Sequence, residues 1–287
     1  MPDLASVNGR ISAPHEAVVP IDDRGLMFGD AVYEATRVYG GRVFALDRHL
    51  ARFRRSLSEL DIDNVDAGAV GRDITALVDR SGLTEALVYW QASRGVHPRE
   101  HVPPADLTPT VIITVRAWTK PPPPADRGLA VITVPDVRWG RVDIKTTNLL
   151  PNTLAKWQAK RAGAAEAILL DGDHVREACS TGVLLVKAGR VLAPEQGPWI
   201  LPSITRQIVE ELAAADGIAV ETRAVRVGEL LAADEVFLVG SSTEVAGVTA
   251  VDGRPVADGR VGPVTRRLIG LYRRYVAESL GLPAGSD

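Results

Sequence analysis

At 287 residues the chain is long enough to bury a substantial core, and two packed domains are expected. Its 46% hydrophobic and 24% charged residues are an ordinary globular balance, and a net charge of -3 argues against nucleic acid or an anionic membrane surface as the main partner. Cys179 is the only cysteine, which excludes an intrachain disulfide and favours a reducing cytoplasm.

The chain opens Met1-Pro2-Asp3, without the basic-then-apolar layout of a signal peptide, and no apolar run approaches the length of a membrane span. A cytoplasmic protein that does not enter the membrane is therefore expected. Val32 to Tyr39 and Arg42 to Ala45 flank Gly40-Gly41, which predicts a tight β-hairpin. Leu46, Leu50, Phe53, Leu57 and Leu60 recur at helical spacing, with Asp47 as the capping candidate. Leu87 to Ala92 and Val111 to Trp118 are rich in β-branched and aromatic residues and read as strands.

Lys120-Pro-Pro-Pro-Pro-Ala-Asp-Arg-Gly128 follows, and its consecutive prolines favour an extended linker, placed at 120–125. It separates a small N-terminal α+β domain, residues 1–119, from a larger C-terminal domain, residues 126–287. In the second part, strands are predicted at Ala130 to Val134, Ala167 to Leu170, Gly182 to Lys187 and Val236 to Val239. Asp171-Gly172 and Ala188-Gly189 suit hairpin turns, and Ser203 caps a helix that carries Ile204, Ile208, Val209 and Leu212 and stops at Gly217. A last helix is predicted from about Pro263 to Leu280. A mixed, largely antiparallel sheet with helices is the expected product.

Among the lysines, Lys120 abuts the prolines, Lys187 precedes a turn, and Lys156 and Lys160 share one wet face of a predicted helix. Lys145 differs. It follows Val142-Asp143-Ile144 and precedes Thr146-Thr147-Asn148, the pattern of a strand emerging into a polar cleft. A partly desolvated amine gives up its proton more readily, as nucleophilic chemistry at a carbonyl requires. A solvated surface charge is the competing reading of any lysine.

Ile144-Lys-Thr-Thr-Asn-Leu-Leu150, then Glu166-Ala-Ile-Leu-Leu170 and Arg176-Glu-Ala-Cys-Ser-Thr181, resemble the class IV (fold type IV) aminotransferases that use pyridoxal 5'-phosphate (PLP). Asp23-Arg-Gly-Leu-Met-Phe-Gly-Asp-Ala-Val-Tyr-Glu34, His49-Leu-Ala-Arg-Phe53 and Leu201-Pro-Ser-Ile-Thr-Arg206 match the same family, in the family's order and over nearly the whole chain. The resemblance implies a two-domain α+β fold and a homodimer whose active sites are shared between subunits. It makes Lys145 the residue that carries the cofactor covalently and later moves a proton. Glu177 is placed beside the pyridine nitrogen, and the phosphate falls to Arg52, Ile204, Thr205, Ser241 and Ser242. The sequence departs from the pattern at Ala178-Cys179, where Gly-Ser is more usual, at Gly182, where Asn is expected, and at Gly240, where relatives often carry Ser.

Arg94-Gly-Val-His-Pro-Arg-Glu-His101 resembles the D-amino-acid transaminase form of the family. In that form an Arg and a His two residues apart, here Arg99 and His101, bind the substrate carboxylate together with Tyr33. An arginine fork suits a carboxylate, and His and Tyr donors can fix its orientation. The expected reaction moves the amino group of a D-amino acid such as D-alanine to 2-oxoglutarate. A branched-chain L-amino-acid transaminase, an (R)-amine transaminase, a 4-amino-4-deoxychorismate lyase and a PLP-binding protein without turnover are the competing readings.

Overall fold

The computed structural model describes residues 3–120 and 125–283, so Pro121 to Pro124 of the expected linker lie outside the described residues. The chain forms two compact units, one of Met1–Lys120 with Ile144–Asn148, the other of Pro121–Asp143 with Leu149–Asp287. The short segment that carries Lys145 therefore belongs to the first unit, although the sequence places it beyond the linker.

The first unit holds β1 (Leu4–Val7), β2 (Arg10–Ser12), α1 (Arg24–Phe28), β3 (Ala31–Tyr39), β4 (Arg42–Val43), α2 (Leu46–Ser58), α3 (Ala67–Ser81), β5 (Ala86–Ser93) and β6 (Thr110–Ala117). Its strands form one sheet in the order β2-β1-β6-β5-β3-β4, and every pairing is antiparallel. Gly40 and Gly41 turn β3 into β4 at φ 55° and 78°. Both angles lie in the left-handed region that a type I′ turn demands and glycine tolerates. Val32, Val38, Val88, Trp90, Ile113 and Val115 point to one face of the sheet and meet Leu50, Phe53, Leu57, Ile74 and Leu77 of α2 and α3. Fully burying one such side chain contributes about 1.5–3 kcal/mol. The opposite face carries Tyr33, Tyr89 and Gln91, each only half-buried.

Two local features differ from the sequence reading. The residue that caps α2 is Ala45, in the left-handed region at φ 51° and with no side-chain cap, while Asp47 sits inside the first turn. There its charge still favours the positive end of the helix. The helix α3 is absent from the sequence reading, because Gly68 and Gly71 weaken its propensity. Gly71 lets α2 approach closely: a Cβ there would lie 2.6 Å from Leu50 Cδ1, so the Leu50 side chain would have to shift.

The Lys145 segment joins the first unit through β3. Because β4 pairs only with Val38 and Tyr39, the start of β3 has an open edge. Tyr33 N donates to Lys145 O at 2.9 Å, Thr147 N donates to Ala31 O at 3.1 Å, and Val32 pairs with Thr146 as an isolated bridge. On the other side, Lys145 N donates to Ser56 Oγ of α2 at 3.2 Å.

The second unit holds β7 (Leu129–Pro135), α4 (Leu150–Arg161), β8 (Glu166–Asp171), β9 (His174–Ala178), β10 (Gly182–Lys187), β11 (Arg190–Pro194), α5 (Ile204–Ala215), β12 (Val220–Arg223), α6 (Val227–Leu231), β13 (Glu235–Gly240), β14 (Glu244–Val251), β15 (Arg254–Pro255) and α7 (Pro263–Ser279). The sheet order is β12-β11-β10-β13-β14-β7-β8-β9, with β15 on β14. It is mixed: β11/β12, β14/β7 and β7/β8 are parallel, and the remaining pairings are antiparallel. The parallel β7/β8 pair needs a crossover, which α4 supplies. In α5, the Ser203 side chain accepts from Arg206 N as expected of a cap, and Gly217 at φ 79° follows the last turn.

Candidate active site

Lys145 is the one lysine that is not exposed. Lys156 reaches Glu166 at 3.0 Å, Lys187 reaches Asp234 at 2.9 Å, and both remain on the surface with Lys120 and Lys160. Lys145 Nζ instead donates to Tyr33 Oη at 3.2 Å and lies 4.3 Å from the centre of the same ring. No carboxylate among the described residues pairs with it. Tyr33 is held in turn by Tyr89, stacked at 5.5 Å, whose hydroxyl donates to Gln91 Oε1 at 2.6 Å. Burial, and then Tyr33, push the Tyr89 phenol above its ordinary pKa, so it donates rather than ionises.

On the buried face of β3, next to Tyr33 in sequence, Glu34 gathers two partners from α2. Arg52 donates to it through Nε at 2.7 Å and Nη2 at 2.8 Å, and His49 Nδ1 lies 2.7 Å away. All three are buried. Burial alone would raise the Glu34 pKa, but the Arg52 charge and the Arg52 and His49 hydrogen bonds outweigh it and hold the pKa at about 2. His49 is pushed below its ordinary value, chiefly by burial, against the pull of Glu34. Arg52, expected at the phosphate, thus has two of its nitrogens engaged by Glu34.

Arg99 and His101 lie on the connection between β5 and β6, and both are exposed. The Arg99 guanidinium carbon is 5.2 Å from the Phe28 ring centre, and the His101 ring is 5.7 Å from it. Among the described residues no hydrogen bond links either of them to Tyr33.

In the second unit, Glu177 is the next-to-last residue of β9. Its Oε1 accepts from Arg138 Nη1 at 2.6 Å and from Leu201 N at 3.1 Å. Burial works against the Arg138 charge, but Asp136 and Glu177 more than restore it, and the pKa rises. The Leu201 contact brings Glu177 near the start of α5, where Ile204 and Thr205 stand. Ser203 takes Arg206 N, while the amides of Ile204 and Thr205, in the first turn, have no acceptor within the helix. Ser241 and Ser242 form the turn between β13 and β14. Their neighbour Gly240 lies so close to Thr181 that a Cβ would sit 3.1 Å from its Cγ2. The turn thus stands beside Ser180-Thr181, at the end of the block that contains Glu177.

The departures from the expected pattern have local explanations. Cys179 and Ser180 both donate to the buried Glu166, so Cys179 serves as a hydrogen-bond donor. Burial and Glu166 push its thiol up to about 12, and it is not a nucleophile at neutral pH. At Gly182 a Cβ would lie 3.0 Å from Val239 Cγ2, which leaves little space for an asparagine. The sequence reading missed Glu34, His49 and Arg138. Glu34 and His49 stand inside the quoted motifs and could have been found there. Arg138 lies in an unmarked loop, 39 residues from Glu177.

An amine kept off the surface and away from carboxylates is what an enzyme needs to bond covalently to a carbonyl. The chain belongs to the class IV amino-transferases, whose family model matches residues 31–251. It is 36% identical to a D-alanine aminotransferase of Staphylococcus aureus over 272 residues, 94% of this chain and 96% of that protein. The D-alanine aminotransferase of Bacillus licheniformis is 38% identical over 262 residues, 91% and 93% of the two chains. Among solved structures, the T.th. branched-chain amino acid aminotransferase with pyridoxamine 5'-phosphate is similar at TM-score 0.88 and 28% identity, covering 96% of this chain and 94% of that one. The Escherichia coli branched-chain amino acid aminotransferase has TM-score 0.88 and 25% identity, with coverage of 100% and 97%.

The enzyme is thus an aminotransferase and its cofactor is PLP. The donors present fit that group in kind. The first unit offers an amine with no carboxylate partner for the aldehyde; the second offers a carboxylate for a protonated ring nitrogen and helix N-terminal amides with nearby hydroxyls for a phosphate.

The buried ion pair behind Tyr33 makes a testable prediction. Glu34→Gln removes the carboxylate from a buried guanidinium, and the unfolding free energy should fall by about 3 kcal/mol, measured by urea denaturation at pH 7. The Glu34 pKa is depressed, so its contribution is complete above the ordinary value of 4.5 and is lost as the pH falls toward about 2. The gap between native protein and variant should narrow over that window. A gap that does not change with pH would contradict the pairing.

Proposed function

We propose that this aminotransferase takes its amino group from a D-amino acid such as D-alanine and gives it to a 2-oxo acid such as 2-oxoglutarate. The observation that carries the reading is the Arg99-Glu100-His101 stretch. Two side chains able to bind a carboxylate stand exposed on a loop and rest against one ring, Phe28. The identities of 36% and 38% to D-alanine aminotransferases support the same choice.

In this reading Lys145 Nζ would hold the cofactor covalently and would take up and return the proton at the substrate Cα. The Tyr33 hydroxyl, 3.2 Å from Nζ, orients the amine. Bound PLP supplies a ring that takes up the charge left when the Cα proton departs. Glu177 would keep the pyridine nitrogen protonated, and Arg138 fixes one oxygen of that carboxylate. The Ile204 and Thr205 amides and the Ser241 and Ser242 hydroxyls would hold the phosphate, with the charge of Arg52, two of whose nitrogens Glu34 engages, adding its attraction. Arg99, His101 and Tyr33 bind the substrate carboxylate. The protein works in the cytoplasm as a homodimer, and Arg99 and His101 serve the partner's active site.

A branched-chain L-amino-acid transaminase is the second reading, favoured by the similarity to solved structures of that activity. A single half-reaction separates the two. Mixed with the PLP-loaded protein, D-alanine should convert the cofactor to its amine form and release pyruvate, followed by absorbance. L-Leucine should do so much more slowly. Faster conversion by L-leucine would overturn the D-amino-acid reading.

Arg99→Ala should raise KM for D-alanine about tenfold or more, as expected for loss of a hydrogen bond to a charged group. The sharing of sites between subunits can be tested by letting Lys145→Ala, which is inactive, exchange subunits with Arg99→Ala, with the assay at a D-alanine concentration well below the raised KM, where Arg99→Ala alone turns over little. With sharing, one site of each mixed dimer has both residues intact and D-alanine activity returns. Verified mixed dimers without recovery would show that Arg99 acts within its own subunit.

A further inference from the structure

We infer that Arg24 is a positioning residue for the substrate carboxylate: it fixes the backbone at Glu100 and His101 so that Arg99 and His101 are presented in one geometry. The inference rests on the reading of Arg99 and His101 as carboxylate ligands and extends it to a residue that touches no substrate.

The connection from β5 to β6 is long and largely without regular structure. Segments of that kind adopt many conformations unless something ties them down. Here the exposed side chains stand on a backbone held from below. Arg24, only 4% exposed, opens α1 and reaches across to the loop. Its Nη1 donates to Glu100 O at 2.6 Å and its Nη2 donates to His101 O at 3.1 Å. These two carbonyls directly follow Arg99, one of them in His101 itself. Holding two successive peptide planes leaves the directions of the flanking side chains little freedom.

Arg24 is itself immobilised. Its Nε donates to Asp30 Oδ2 at 2.8 Å, and Asp30 also accepts from Arg94 Nε at 2.8 Å and Nη2 at 3.1 Å. Arg94, at the start of the connection, donates onward to Asp61 O at 2.9 Å and to Leu60 O at 2.5 Å. The legs of the loop are secured as well. Arg24 N donates to Gly95 O at 2.9 Å, and His97 N to Asp22 O at 3.1 Å. Gly95 has φ 120°, and a Cβ there would lie 2.2 Å from Thr108 O.

Phe28, one turn after Arg24 in α1, links the anchor to the groups it presents. The Arg24 guanidinium carbon lies 4.7 Å from the ring centre and that of Arg99 5.2 Å, with the His101 ring at 5.7 Å. Arg24 thus touches both the loop's backbone and the ring on which its side chains rest. A planar fork can make three hydrogen bonds in fixed directions, whereas a lysine ammonium is a point charge on a flexible stem. Lysine at this position would keep the attraction to Asp30 and lose the simultaneous hold on two carbonyls. Misplacing a binding group by about 1 Å can cost a factor of about a hundred.

The test uses the PLP-loaded enzyme with Arg24→Lys, Arg24→Ala, Arg99→Ala and the double variant Arg24→Lys/Arg99→Ala. We expect Arg24→Lys to raise KM for D-alanine and for 2-oxoglutarate about tenfold while kcat changes much less. In the double variant the rise in KM should fall well short of the product of the two single rises, because Arg24 then has only His101 left to position. Tryptic cleavage after Arg99 should also be faster in both Arg24 variants, as a released loop is more readily cut. Unchanged KM and unchanged cleavage in Arg24→Lys would overturn the inference, as would KM effects that multiply in the double variant. Unchanged KM in Arg99→Ala alone would overturn the carboxylate reading instead, and the cleavage rates would then still decide whether Arg24 anchors the loop.

Discussion

The backbone pairing of the Lys145 segment with the open start of β3 is the contact that fixes where the one lysine that is not exposed stands. Each backbone hydrogen bond contributes only about 1 kcal/mol net, but an edge left buried and unpaired would cost about 1–3 kcal/mol for each group. Tyr33 N and Ala31 O find their partners in Lys145 and Thr147, and that choice sets the register. Thr146, between them, is buried, and Lys145 is left half-buried with its amine at Tyr33. The short β4 matters for the same reason: a longer β4 would occupy the edge that the lysine segment now uses.

Charge is placed with similar economy. The inner face of β3 carries Glu34, whose carboxylate holds Arg52 and His49 against α2. A strand alternates its side chains, so Tyr33 and Glu34 necessarily face opposite ways. The half-buried face therefore receives the tyrosine that meets the amine, and the buried face receives a paired charge that locks sheet to helix. In the second unit, Glu177 near the end of β9 and the start of α5 are brought together by the Leu201 amide, and Arg138 fixes the carboxylate from another side.

Much of this was legible in the sequence, for reasons that can be named. The Gly40-Gly41 hairpin, the strand Gly182–Lys187, the cap at Ser203 and the last helix from Pro263 all rest on local signals, and local signals survive in the fold. The family motifs brought Lys145 and Glu177 forward. What escaped was either weak or non-local. Gly68 and Gly71 hid α3, since a helix that uses glycine for close packing on Leu50 looks like a poor helix. Asp47 suggested a cap because its chemistry is right, yet Ala45 in the left-handed region begins the helix. The membership of Ile144–Asn148 in the first unit depends on pairing with β3, more than a hundred residues earlier. The hold of Arg24 on Glu100 spans 76 residues, and no pattern of neighbours announces it.

Lys145 is proposed here as the lysine that carries the cofactor, and borohydride reduction tests that assignment. The protein is loaded with PLP, reduced, digested and mapped by mass spectrometry. A stable phosphopyridoxyl group is expected on the peptide that contains Lys145, and none on peptides that carry the exposed lysines. Modification of Lys156, Lys160 or another surface lysine, with Lys145 unmodified, would contradict it.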